Sequence, residues 1–214
     1  MEDLKTLMAR QEELATELRF AVCQNSMGGE MISHPLVQSI FYIPQQNAMY
    51  NAQLKAKKEA LAQASKSQRW SEYLWLYERP YRFDAFKGIA SKLEPNEYWD
   101  TLSMLWSDSE NIWQNLNGWK QLLNAKIPKR HLMMSSHEEH YFKNFIPDMV
   151  EIHRGYQEGK NKHGFSFSLD KKKALWFANR FNKGGKVLTL TVPKKDLVAY
   201  IDSRGEKEII YLGK

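Results

Sequence analysis

A chain of 214 residues, 43% apolar and 13% aromatic, can build one large domain or a domain with a substantial extension, and its seven tryptophans and ten tyrosines exclude a disordered polymer. A single cysteine, Cys23, excludes an internal disulfide and a cysteine-built zinc site, and fits a reducing compartment. The net charge of +6 is uneven: residues 1–140 carry 16 Lys+Arg against 17 Asp+Glu, residues 141–214 carry 15 against 8, and such a basic third suits a nucleotide, a nucleic acid or a solvated lysine-rich face.

Residues 2–22 place Leu4, Leu7, Met8, Leu14, Leu18 and Val22 at helical spacing. This charged start has no uninterrupted apolar core of a signal peptide, and no apolar run approaches the roughly 20 residues of a membrane span. The chain therefore reads as soluble and cytoplasmic, with no membrane partner. The Gly, Ser, Asn and Pro content of 24–35 predicts a loop. A long polar helix follows over 46–66, then a shorter aromatic helix over 69–80 stopped by Pro80. Pro95 sits in the first turn of a predicted helix over 94–108, and 110–124 continues in helical register. Trp99, Trp106, Trp113 and Trp119 read as helix-packing core. A capping box, Ser136 with Glu139, opens a helix over 135–145.

After Pro147 the period changes. Strands are predicted over 149–155, 164–168, 186–192, 197–202 and 208–212, with a helix over 170–181 stopped by Asn182 and Gly184–Gly185. The expected class is α+β. Its parts are a helical N-terminal extension over 1–70 and a domain over 71–214. That domain comprises a helical lobe over 71–146 and a β-rich core over 147–214.

Three polar clusters punctuate the strands: His153-Arg154-Gly155 at a strand end, Ser166-Phe167-Ser168 just before a helix, and Glu206-Lys207-Glu208 where a loop becomes an apolar strand. In a strand, side chains two apart point to one face, so the two glutamates are expected side by side, where like charges repel and gain nothing for folding unless a cation forms in front of them. Alone, each cluster has an ordinary reading: strand-edge charges that deter aggregation, a salt-bridge arginine, plain strand serines. The histidines of 137–140, HEEH, lack the His-Glu-x-x-His spacing of zinc hydrolases, so no metal is expected. Lys171, Lys172 and Lys173 open a helix, where positive charge is mildly unfavourable.

In this order the clusters resemble the mono-ADP-ribosyltransferase family, in the group marked by an arginine, a serine strand and a Glu-x-Glu pair. The resemblance runs from near Glu78 to the end and rests on IHRG, GFSFS with ALWFA, and RGEKEIIY. It implies two packed sheets around an NAD cleft, preceded by a helical lobe, with NAD as substrate. It further implies that Glu208 steadies the ribosyl cation, that Glu206 orients or deprotonates the nucleophile, and that Arg154 grips phosphate or ribose. Gly155 would let the cofactor approach the backbone, Ser166 would position Glu208, and Ser168 would support the site. Phe167 stands where the family often has threonine and His153 where tyrosine is common; alternation turns Phe167 toward the core and His153 away from Arg154.

A complete Glu-x-Glu pair goes with a nitrogen nucleophile, and the basic last third favours RNA over a protein arginine as acceptor. Members of similar length include intracellular toxins of toxin–antitoxin and antiviral defence systems, so an antitoxin protein is an expected partner. NAD hydrolysis and a non-catalytic, nucleic-acid-binding module are the alternatives.

Overall fold

The first described element departs from the periodic pattern. The helix expected over 2–22 lies in part, over 2–10, outside the described residues, which are 11–110 and 112–213 of this computed structural model; of its described part, only Thr16–Arg19 (α1) is helical. Val22–Gln24 instead forms strand β1, because it finds a partner in β2, Glu30–His34. The loop expected over 24–35 shrinks to a turn. There Gly28 has φ +85°, and Asn25 Oδ1 accepts from the backbone N–H groups of Met27 (2.8 Å) and Gly29 (3.1 Å). Strand β3, Val37–Ser39, completes a three-stranded antiparallel sheet in the order β1-β2-β3.

The helices that follow are α2 (Asn47–Lys66), α3 (Trp70–Trp75) and α4 (Arg82–Ile89). The aromatic helix expected to reach Pro80 ends at Trp75; Pro80 instead occupies a 3₁₀ turn, Arg79–Tyr81. Leu14, Leu18, Ile32, Val37, Tyr50 and Leu54 share one buried cluster. The N-terminal part is therefore not the all-helical extension expected over 1–70. It is a mixed unit that runs to Leu93, and a second unit covers Glu94–Lys214. The expected boundary fell at the end of the polar helix, whereas the compact unit also takes in the next two helices.

The second unit opens with α5, Pro95–Asp108, which buries Tyr98, Trp99, Leu102, Leu105 and Trp106. A 3₁₀ turn, Ile112–Asn115, precedes α6, Leu116–Leu123. Trp119 is buried there against Trp106, but Trp113, expected in the core, is 60% exposed. The capping box of α7, Ser136–Phe145, uses Ser135 and Glu138, one residue earlier than expected. Tertiary contact selects that register: Glu138 is buried, and its second oxygen accepts from Asp202 N at 2.6 Å.

Strands β4 (Met149–Tyr156), β5 (Ser166–Ser168), β6 (Lys186–Pro193), β7 (Leu197–Ile201) and β8 (Glu208–Tyr211) form one antiparallel sheet in the order β6-β4-β5-β8-β7, with helix α8 (Lys171–Asn179) between β5 and β6 in the chain. Two packed sheets were expected here; the pair His153↔Ser168 joins the strands into one. Directly opposed residues share a face. Ser168 opposes His153 and Glu208, and Ser166 opposes Ile210, which puts these side chains on one face. Phe167 turns to the other, buried against Tyr211 as alternation predicts.

Candidate active site

Gly155 and Gly185 explain how α8 lies on this sheet. A Cβ at Gly155 would sit 2.0 Å from the carbonyl oxygen of Ala174, and one at Gly185 would sit 2.1 Å from that of Ala178. Gly155 lets helix backbone approach strand backbone, and Gly185, just before β6, lets the connecting chain pass against the end of α8. Gly155 was expected to make room for a cofactor; instead it makes room for α8.

β4 and β5 pair only at His153↔Ser168, although β4 continues to Tyr156. Arg154 occupies the split beyond. Its Nη1 donates to Ser166 O (2.6 Å), while Nε and Nη2 donate to Asn161 O (3.0 and 2.7 Å). Gly164 lies against the guanidinium so closely that a Cβ there would be 2.1 Å from Nη2. Desolvation pulls the Arg154 pKa down to about 10, and the nearby Glu208 charge works in the opposite direction. The group keeps its charge at neutral pH.

Glu208 begins β8 and is only 5% exposed. Its Oε1 accepts from Ser166 Oγ at 2.5 Å and from the Trp106 indole Nε1 at 3.2 Å. Its Oε2 lies 4.0 Å from Arg204 Nη2. Burial pushes the Glu208 carboxyl above the ordinary value; the Ser166, Trp106 and Arg204 contacts pull it back, and the Glu206 charge adds a final upward push. Desolvation is the largest of these influences and the neighbouring carboxylate the smallest.

Glu206 does not share the strand with Glu208. It lies in the turn that joins β7 to β8, where Gly205 has φ +63° and Lys207 φ +46°. The turn is closed by Gly205 N donating to Asp202 O and Lys207 N donating to Asp202 Oδ1, each at 2.8 Å. The left-handed Lys207 breaks the period-two alternation on which a shared face depends. Arg204 brings the two carboxylates under one charge instead, with its Nη2 3.2 Å from Glu206 Oε2. Ser168 Oγ donates to Glu206 O (2.7 Å) and accepts from Asp170 N (3.0 Å), which fixes the turn and the start of α8. His153 is buried, with Nδ1 2.9 Å from Thr189 Oγ1.

Of the residues singled out, Ser166 and Glu208 meet side chain to side chain, Arg154 leaves β4 on the face opposite His153 and reaches them through the Ser166 carbonyl, and Glu206 is joined to Glu208 through Arg204. Ser168 and Gly155 serve the backbone around them. Sequence reasoning missed Trp106, Gly164 and Arg204. A buried indole N–H needs an acceptor, so Trp106 in an apolar stripe was the one legible signal. Among the described residues, no group of three or more His, Cys, Asp or Glu could hold a metal ion, and no helix is long and apolar enough to cross a membrane. No protein-family model, curated protein or solved structure matches this chain.

Proposed function

We propose that this protein is an NAD-dependent mono-ADP-ribosyltransferase that carries ADP-ribose to a nitrogen nucleophile, with RNA as the acceptor. One observation carries the reading: a desolvated carboxylate, Glu208, is aimed by donors from two distant segments, Ser166 and Trp106, and the backbone carbonyl of Ser166 in turn accepts from the Arg154 guanidinium. A carboxylate so held costs stability in a protein that only has to fold. It suits a reaction that develops positive charge in front of it.

The residues fit NAD in charge and in donor set. The bond between nicotinamide and ribose breaks, its electron pair leaving with neutral nicotinamide. The ribosyl carbon passes through an oxocarbenium-like state that Glu208 stabilises. Glu206, whose side chain is partly exposed in its turn, accepts the proton of the attacking nitrogen. Arg154 supplies positive charge for the pyrophosphate as the carbonyls of Asn161 and Ser166 release its donors. The excess of Lys and Arg in residues 141–214 favours a polyanionic acceptor.

The test is transfer of label from adenylate-labelled NAD to total RNA. Wild type is expected to give nuclease-sensitive product, and Glu208→Gln to lower the rate roughly 10²- to 10³-fold, the size of one lost transition-state contact. NAD loss without labelled RNA assigns water as the nucleophile. Label that survives nuclease and yields to protease moves the acceptor to protein. Equal NAD turnover by wild type and Glu208→Gln removes the catalytic reading.

A further inference from the structure

Helix α8 is amphipathic in the reverse of the usual sense. Against the sheet it buries Ala174 and Ala178, and toward solvent it presents Leu175 (49% exposed) and Trp176 (56%), with Phe181 just beyond its end (84%). The two glycines beneath it demand small residues inside, but nothing in folding demands large ones outside. Lys172, Leu175, Trp176, Asn179 and Arg180 line a shallow cleft of about 430 Å³ on this outer face.

The same face is cationic. Residues 171–186 contain Lys171, Lys172, Lys173, Arg180, Lys183 and Lys186 and no carboxylate. Lys186 is engaged by Glu158. The only neighbouring carboxylate in the chain, Asp170, is spent as the N-cap, its Oδ1 accepting from Lys172 N (2.8 Å) and Lys173 N (3.3 Å). The Arg180 guanidinium lies 5.7 Å from the Trp176 ring centre and 5.1 Å from that of Phe181, and Lys173 Nζ lies 5.9 Å from Trp176. Exposed rings interleaved with cations match what unpaired bases and their phosphates need: planar surfaces for stacking and charge for the backbone.

The start of the helix adjoins the strand that carries the carboxylate. α8 starts three residues after Ser168, which opposes Glu208, and Leu169 N donates to Lys207 O at 2.9 Å. Nine helical residues extend roughly 14 Å, a span of a few nucleotides.

We propose that the outer face of α8, with Trp176, Arg180 and Phe181 at its centre, binds a single-stranded RNA segment whose end at the helix start is led toward Glu208 as the acceptor. Calling that RNA the acceptor rests on the transferase reading; the binding itself does not. The experiment is fluorescence anisotropy of the full chain with a short labelled single-stranded RNA of mixed sequence, over a range of salt. Trp176→Ala and Phe181→Ala are each expected to weaken binding roughly tenfold, the scale of one lost stacked base. Arg180→Ala is expected to lower the salt slope by about one. Glu208→Gln is expected to bind RNA as wild type does while losing label transfer, so failure of the binding and failure of the chemistry are read separately. Unchanged affinity in both aromatic variants overturns the proposal. So does equal binding of duplex RNA, or a polyglutamate peptide that binds as tightly and is weakened equally by Trp176→Ala.

Discussion

At the scale of single residues, the decisive quantity is the solvation of Glu208. Its folded-state pKa is raised, so the folded chain binds its proton more tightly than the unfolded chain does. The stability this adds is fully present below the ordinary glutamate value and is lost as pH rises through the folded value. Glu208→Gln never ionises. It is therefore expected to gain stability relative to wild type as the pH is raised from about 4 to about 8. Thermal melts of both proteins across that range check this, and a difference that is flat in pH or of the opposite sign refutes it. On the proposed transferase reading the reaction needs the charged carboxylate, so NAD turnover should rise with pH through the same raised value. Trp106→Phe deletes one of the contacts that favour the charged form. It should move that rise to higher pH, which pH profiles of NAD turnover would show.

At the scale of elements, the seating of α8 on β4 is a matter of backbone contact. A methyl group at Gly155 would meet the carbonyl oxygen of Ala174 and the amide nitrogen of Ala178, neither of which can rotate away. Gly155→Ala is expected to cost about 3 kcal/mol, the upper part of the range for overpacking. Gly88 gives the contrast: it sits near the end of α4, where an added Cβ meets nothing within 4 Å. There alanine is expected to gain about 0.5–1 kcal/mol through helix propensity. Denaturant midpoints of the two variants test the pair, and equal effects would mean that α8 is not fixed by this contact. The elements themselves were legible to different degrees. The strands after Pro147 and helix α8 stand close to where alternation and a 3.6-residue period place them. β1 and β2 were hidden, because a short stretch such as Val22–Gln24 declares itself a strand only through the partner it pairs with.

At the scale of the whole molecule, the candidate site lies within one of the two units. Trp106, Arg154, Ser166, Arg204, Glu206 and Glu208 all belong to the unit that begins at Glu94, which has its own sheet and a core of Trp99, Trp106 and Trp119. A fragment of residues 94–214 is expected to fold alone in a single cooperative transition, with an unfolding enthalpy on the order of 80 kcal/mol. Calorimetry with near-ultraviolet circular dichroism of its tryptophans reads this directly, and a broad, featureless melt would count against it. The sequence alone determined the chain order of arginine, serines and glutamates, the β-rich basic last third and the polar long helix. Each of these is written in spacing, charge and turn residues over a few positions. Only the tertiary structure decided that the C-terminal strands make one sheet, that Lys207 takes Glu206 out of the strand, and that Trp106, 102 residues away, donates to Glu208. Desolvation and long-range hydrogen bonds depend on what the rest of the chain brings alongside, and no local pattern of residues records that.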